Sequence, residues 1–429
     1  MVVFQPCIGI LNAIDLAIWG VKLAKNIIIC MDGTGNEIEK KETNVLRFFR
    51  ALDRTDPKKQ IVYYQPGVGT MDNNKLVLRV TQSLVSVAGL AFGYGMEDDV
   101  LTAYKYLCTN YQGKKTGAKE HDRIMILGFS RGAYAARVLA GFIHNFGLVR
   151  PTELHLIKPV FRAYRKISHS KPGPAADKVF DNMRRYRSVL RAFSVPIKFL
   201  GLFDTVSSMI RIRFRKFFTT GSILEFGTHA SVNNNASVEV VRHAVSIDES
   251  RSMFRSQLWE EGQEFYGNPW KSGTPKPQDT KQVWFAGTHK DIGGSVPEDE
   301  SGISKITFMW MKEQLDALDL DGAKVGFRTA YLNKYILGKT AVNRATHQLP
   351  IGTPNYAGMI HNTLKGAWLI LEVFPKSKVR RQWPRRRGII YYIPWAEPRP
   401  FPNNGTLHES VTERWNDPKL DYKPRNISL

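Results

Sequence analysis

Gly128-Phe-Ser-Arg-Gly132 stands between a short apolar run, Arg123-Ile-Met-Ile-Leu-Gly128, and a small-residue stretch, Ala133-Tyr-Ala-Ala-Arg-Val-Leu-Ala140. A strand that ends in G-x-S-x-G and passes straight into a helix has few folds open to it. The chain must turn sharply there, which holds the serine in a strained backbone conformation. A side chain at Gly128 or Gly132 would meet the neighbouring strand or helix. The turn lifts the Ser130 hydroxyl above the sheet at the amino end of a helix, where partial positive charge favours a developing anion. The five residues alone occur by chance, and it is the strand before and the helix after that give them weight. Ser130 is therefore the candidate nucleophile. The alternative is a glycine-bounded turn with an ordinary capping serine.

The rest of the chain supplies a setting for such a turn. Asn26–Met31, Ile61–Tyr64, Arg123–Gly128, Ile197–Phe203 and Val283–Ala286 are short runs rich in apolar residues. Continuous apolar strands suit a sheet covered on both faces. Helical patterns lie between them at Thr43–Leu52, Asp98–Tyr111, Arg131–Phe146 and Thr152–Ile167. This alternation predicts an α/β fold with a mainly parallel sheet, helices on both faces and the active site at the carboxyl ends of the strands. Beyond about residue 320 the rhythm fades. Pro384, Pro394, Pro398, Pro400 and Pro402 crowd the tail. The expected organisation is an N-terminal apolar helix over residues 1–25, a catalytic domain over 26–320, and an irregular extension over 321–429 packed on that domain.

Hydrophobic residues are 43% and charged residues 23% of the 429, enough for a large core and against global disorder. The formal net charge of +22 attracts anions without choosing among lipid surfaces, nucleic acid and acidic substrates. Cys7, Cys30 and Cys108 are odd in number and lack metal-ligand spacing, so neither a disulfide framework nor a zinc site is expected. Cys30 reads as a core residue. No cofactor motif is present. In the first helix Ile8, Leu11, Ile14 and Ile18 share one face, while a basic leader is absent and Asp15 interrupts the run. This is expected to be a helix docked on the body, with an interfacial membrane anchor as the alternative. Cytoplasm is the default compartment, with peripheral membrane association or signal-less export left open.

A serine hydroxyl at its free pKa is a poor nucleophile and needs a base, normally His, with an acid to orient it. In α/β hydrolases these follow in the order Ser, acid, His. Asp204 ends the run Ile197–Phe203, where its carboxylate would face the cleft; capping the next turn is the alternative. His289 follows the run ending at Ala286, on a loop with two glycines. His121 and His144 lie too near the elbow in sequence, and His229 and His243 follow no comparable strand end. His361 and His408 sit in the extension and stay open. The oxyanion donors are expected to be the amide of Arg131 and an amide of Gly33 or Thr34, in the loop after the first strand.

Taken together, Cys30-Met-Asp-Gly-Thr-Gly-Asn36, Pro66-Gly-Val-Gly69, Gly93-Tyr-Gly-Met96, Gly128-Phe-Ser-Arg-Gly-Ala133, Phe203-Asp-Thr-Val206, Arg242-His-Ala-Val-Ser-Ile-Asp248 and His289-Lys-Asp-Ile-Gly-Gly294 appear in a telling order. The chain resembles the α/β-hydrolase family that includes the catalytic domain of type VI secretion phospholipase effectors, over roughly residues 26 to 315. The resemblance implies a triad of Ser130, Asp204 and His289, and a lipid or phospholipid ester substrate. Ser295 stands where that family often carries a third glycine, and no separate membrane-anchoring domain is visible. Asp32 and Asp291 belong to the pattern as site support, Asp291 buttressing the His289 loop or lining the cleft. The Arg242–Asp248 segment reads as structural, with His243 a satisfied core histidine.

Several surfaces remain. Arg211-Ile-Arg-Phe-Arg-Lys-Phe-Phe218 suits either an anionic membrane surface or a protected strand edge. Lys376–Arg387 is basic, contains Trp383, and reads as exposed surface, since no nucleic-acid reading motif accompanies it. Leu84–Met96 is either a lid or buried core. A phosphoryl-transfer reading of Asp32-Gly-Thr fails because Cys30 stands where the nucleophilic carboxylate belongs. The expected activity is ester hydrolysis by a serine. The rival is a non-catalytic hydrolase fold that binds an anionic membrane or a protein. Oligomeric state is not legible.

Overall fold

Where an apolar run is buried on both sides, only a sheet covered by helices satisfies its backbone. In the computed structural model, which describes residues 24–33, 41–67, 95–113, 121–167, 174–206, 209–212, 224–227, 230–339, 351–373, 376–377 and 391–427, seven strands form one sheet, and its central ones are buried on both faces. They are Asn26–Met31 (β1), Gln60–Gln65 (β2), Arg123–Phe129 (β3), Ile197–Phe203 (β4), Val238–Ser246 (β5), Asp279–Phe285 (β6) and Thr406–Leu407 (β7). Their order is β2-β1-β3-β4-β5-β6-β7, and every neighbouring pair is parallel. The α/β fold expected from the alternation is the fold found. Short antiparallel pairs lie outside this sheet, Met209–Ile212 with Leu224–Gly227 and Lys376–Ser377 with Tyr391–Tyr392 among them.

Helices cover both faces. Met96–Asn110 (α2), Arg131–Phe146 (α3), Ile157–Ile167 (α4) and Pro174–Val189 (α5) lie on one side, where Tyr104, Phe142 and Phe161 are fully buried. Asn44–Ala51 (α1) and Gly302–Asp316 (α7) lie on the other, around Phe48, Phe203 and Phe308. Thr43 caps α1, its hydroxyl accepting from the Leu46 amide at 3.0 Å. A third cluster joins Val245 and Trp284 of the sheet to Val411, Tyr422 and Ile427 near the carboxyl terminus.

The strand order reverses between β1 and β3. The chain leaving β1 enters α1 on one face, and the chain leaving β3 enters α3 on the other. Diverging loops leave a crevice above the strand ends at such a reversal, the usual ligand position in a doubly wound sheet. Ser130 stands at the end of β3, on that crevice.

Several details depart from the sequence expectation, among them Thr406–Leu407 of the extension, which joins the sheet as β7. Helix Thr152–Ile167 is a 3-10 turn, Pro151–Leu156, followed by α4. Strand β5 was not expected, because Glu239, Arg242 and His243 interrupt its apolar run. Each is satisfied in place. Lys198 Nζ meets Glu239 at 2.8 Å, Arg242 Nη2 meets Asp279 at 2.6 Å, and His243 Nε2 accepts from the Thr205 amide at 3.1 Å. His243 is thus the satisfied core histidine. Cys30 and Cys108 are both buried. Of the expected N-terminal helix (1–25), residues 1–23 lie outside the described residues, as do residues 84–94 of the lid-or-core segment and residues 213–218 and 378–387 of the two basic runs.

The packing is testable in two ways. A Cβ on Gly132 would lie 2.2 Å from the Met31 carbonyl oxygen and 2.5 Å from that of Asp32. Both are backbone atoms of β1 and its exit, so neither can yield. Gly132→Ala is expected to cost roughly 3 kcal/mol or more in urea unfolding. His243, pulled down to about 3 by burial first and Arg137 second, stays neutral when folded. In the unfolded chain it protonates near pH 6.5, so stability falls as pH drops through that window. Between pH 7 and pH 5 this amounts to about 2 kcal/mol. Gln at 243 keeps an acceptor for Thr205 and cannot titrate, so His243→Gln should lose that much less than wild type on acidification. An equal loss in both proteins would assign the pH dependence to other groups.

Candidate active site

The ends of three strands, β3, β4 and β6, supply the site. Ser130 follows β3 with φ 58° and ψ −122°, and its amide donates to the Phe203 carbonyl at the end of β4 at 3.1 Å. A Cβ on Gly128 would sit 2.6 Å from Ala133 Cα, so glycines on both sides of the elbow are needed. Asp204 follows β4 with φ 39°, another strained turn, and its amide donates to the Ala244 carbonyl of β5 at 2.8 Å. His289 opens the short helix His289–Gly293 (α6) after β6.

The structure brings these three side chains together. Ser130 Oγ lies 2.8 Å from His289 Nε2, and His289 Nδ1 lies 2.5 Å from Asp204 Oδ2. Placing the Nδ1 proton on the carboxylate side leaves Nε2 to accept from the serine hydroxyl. The imidazole sits between two phenyl rings, Phe129 at 4.8 Å and Phe254 at 4.9 Å between centroids. Burial pulls its pKa below the ordinary histidine range, and the Asp204 hydrogen bond and charge oppose that without cancelling it. The resting ring is neutral, the form a base requires. Burial alone would push the Asp204 carboxyl up. The Arg399 guanidinium and the His289 hydrogen bond outweigh it and hold the group far below the usual carboxylate range.

Arg399 is the residue of this cluster that sequence reasoning missed. It comes from the extension, 195 residues from Asp204, and is buried. Its Nη1 donates to Asp204 Oδ1 at 2.5 Å and its Nη2 to Oδ2 at 3.0 Å, a two-pronged contact. Further donation goes to the carbonyls of Phe254 and Ser246. The remaining approach to Asp204 Oδ1 is taken by the Ser246 amide at 3.0 Å. The one clue in the sequence was an arginine locked between Pro398 and Pro400.

The other expected residues fall into place around these. Asp32 is buried where β1 ends. Its Oδ2 accepts from Thr43 Oγ1 at 2.6 Å and Tyr64 OH at 2.7 Å, and its Oδ1 from the Gly33 amide at 2.6 Å. That carboxylate ties β1, β2 and α1 together directly beneath Gly132. The Gly33 amide is thereby directed at Asp32, and Thr34 lies outside the described residues. Arg131 is the first residue of α3. Asp291 buttresses the histidine loop, its Oδ2 accepting from both the Thr288 amide and hydroxyl at 2.8 Å. His361 bonds to Asp291 at 2.5 Å and Glu300 at 2.7 Å, and His408 caps the final helix Glu409–Asn416. Neither is Ser130's partner. Asp248 bonds to the Gly287 amide at 2.6 Å and to Tyr422 OH at 2.8 Å, pinning the loop that leads to His289. Among the described residues, no group of three or more His, Cys, Asp or Glu side chains could hold a metal ion.

Known proteins share large parts of this chain. Uncharacterized protein YEL023C of Saccharomyces cerevisiae is 33% identical over 246 residues, covering 54% of this chain and 32% of that protein. The chain therefore spans well under half of that relative's length. A crystal structure of an uncharacterized protein from Pseudomonas aeruginosa is similar at 17% identity with a TM-score of 0.39, covering 77% of this chain and 49% of that one. The family of T6SS phospholipase effector Tle1-like catalytic domains matches residues 25–314, well over half of the chain. The chain belongs to that family.

Proposed function

We propose that this protein is a serine hydrolase of lipid esters, working through Ser130, His289 and Asp204 by an acyl-enzyme route. The observation that carries the reading is the continuous contact from Ser130 Oγ to His289 at 2.8 Å and from His289 to Asp204 at 2.5 Å. Membership in a phospholipase effector family supports a lipid ester as the substrate class.

In this mechanism His289 Nε2 takes the hydroxyl proton as Ser130 Oγ attacks the ester carbonyl carbon. The carbonyl oxygen becomes an anion, held by the Arg131 amide and a second amide from the Gly33–Thr34 loop. The Gly33 amide is directed at Asp32, and Thr34 lies outside the described residues. Collapse of the tetrahedral species breaks the ester C–O bond, and the imidazolium returns its proton to the departing alcohol. Water, activated by the same Nε2, then releases the carboxylic acid and restores the serine. Asp204 keeps the ring in the Nδ1-protonated tautomer and stabilises its charged form. Arg399 acts as a positioning residue through Asp204. It fixes both carboxylate oxygens and offsets part of their charge, which tempers the basicity of His289.

The first test is hydrolysis of short-chain esters, long-chain esters and phospholipid vesicles by wild type beside Ser130→Ala. The variant is expected to lose roughly 10⁴-fold or more in kcat on every substrate the wild type cleaves. Equal rates in the two proteins would exclude Ser130 as the nucleophile. A second test concerns Arg399. Losing its positive charge favours imidazolium, so the His289 pKa rises. Since the base must be neutral, the acid limb of kcat/KM in Arg399→Ala should move to higher pH, with a fall of roughly 10²-fold at the optimum. Arg399→Lys should restore part of both effects. An unmoved acid limb with lower thermal stability would mean that Arg399 only holds the fold.

A further inference from the structure

Helix Ala367–Val373 (α8) turns a carboxylate inward and several apolar side chains outward. Glu372 is 2% exposed and points inward, where its Oε1 accepts from the Ser252 amide at 2.8 Å and the Ser252 hydroxyl at 2.6 Å. Outward, Leu369 and Ile370 are each 51% exposed and Val373 is 42% exposed. These three positions fall on one side of a helical turn. Trp395 extends the patch, being 55% exposed with its amide bonded to the Glu372 carbonyl at 3.3 Å. Nine large apolar side chains are exposed among the described residues, and four of them are gathered here. Scattered apolar residues on a surface need no explanation, but a cluster on a helix with a buried carboxylate does.

The patch is joined to the chemistry. Trp368 of α8 meets Phe254 edge-on at 5.0 Å, and Phe254 meets His289 at 4.9 Å. Arg251 stacks over Phe254 at 3.6 Å and over Trp368 at 5.1 Å. One aromatic ring therefore separates the helix from the candidate base.

Basic side chains stand close to the patch. Lys365 is exposed and precedes α8 by two residues, and Lys290 follows His289 directly. Lys290 lies within electrostatic reach of Lys41, Arg251 and Lys365, with Asp291 as its acidic neighbour. That aspartate is already engaged by His361. Neither Lys290 nor Lys365 forms an ion pair with a described residue. An apolar face with lysines that form no ion pair with a described residue, on a chain of net charge +22, is complementary to a surface with an apolar interior and anionic headgroups.

We propose that Leu369, Ile370, Val373 and Trp395 seat the protein on an anionic lipid bilayer, with Lys290 and Lys365 meeting lipid phosphates, so that the Ser130 site faces the headgroup layer. The proposal rests on the lipid ester reading of that site and names the surface from which its substrate comes. Seating buries the apolar face of α8 at the level of the acyl chains. The contact through Trp368 and Phe254 then sets the catalytic residues at a fixed height above the bilayer.

The experiment is sedimentation of the full chain carrying Ser130→Ala, so that lipid is not consumed, with phosphatidylcholine vesicles containing about a quarter phosphatidylglycerol. Leu369→Ser, Ile370→Ser and Val373→Ser together should weaken binding on the order of tenfold or more. Lys365→Gln should weaken it roughly fivefold, and less at high salt. Val189→Ser on α5, where the valine is 76% exposed away from the patch, serves as the control and should bind like its parent. Thermal melting confirms that each variant is folded. Equal binding by the triple variant and its parent would overturn the proposal, as would equal weakening by Val189→Ser. So would a dimer, seen in sedimentation velocity, that the triple variant abolishes, because the patch would then be covered by a second copy. Hydrolysis of soluble short-chain esters by the Ser130 protein is scored separately. Vesicle binding without any ester hydrolysis would leave the seat standing and remove the hydrolase reading. Ester hydrolysis with patch-independent binding would do the reverse.

Discussion

A carboxylate buried without compensation is untenable, and Asp204 is wholly buried. Its compensation draws in most of the molecule. The Ser246 amide comes from the end of β5, the imidazole from the loop after β6, and the guanidinium of Arg399 from the extension. Removing one partner of such a buried pair costs about 3–5 kcal/mol, so these elements hold one another at their working distances. The strained backbone at Ser130 and Asp204 persists because the surroundings leave no alternative. The Phe203 carbonyl is bonded to Ser130, and the next residue's amide is bonded to β5.

Around that centre the same device recurs. Asp32, Asp248 and Asp291 each stand just past or near a strand end, and each accepts from a backbone or hydroxyl group of another segment, the His361 amide in the case of Asp291. Asp32 joins three elements under the elbow. Asp248 fastens the approach to His289, and Asp291 fastens its short helix. A loop at a strand end has unpaired amides, and a short carboxylate can satisfy several of them at once. This gives a physical reason for aspartates in the recurring segments of the chain. They make loops rigid where a site requires fixed distances and a strand cannot supply the bonds.

The sheet was readable from the sequence because β1, β3 and β4 are buried on both faces and so are apolar along their length. Ser130 was readable because an elbow needs glycines at fixed offsets. Val238–Ser246 was not, since its polar residues answer to partners on other strands, Lys198 and Asp279, which no local pattern reveals. Arg399 was harder still. A single arginine in a proline-rich tail carries no periodic signal, and its role exists only through a contact made 195 residues away. Asp204, by contrast, ends an apolar strand and had few places to point.

Family membership ends at residue 314, yet Arg399, Trp368 and the outward face of α8 all lie beyond it. The matched region supplies six of the seven sheet strands, the elbow and the three side chains in contact. The extension supplies the countercharge on Asp204 and the apolar border one ring from His289. These two contributions act on different quantities. A guanidinium on the carboxylate changes how basic the imidazole is, whereas an apolar border changes which surface the site meets. The extension can therefore alter where and at what pH the site works while the strand ends stay as they are. In the proposed reaction, the surface the site meets and the pH at which it works are then expected to depend on the sequence after 314 more closely than on the sequence that carries Ser130.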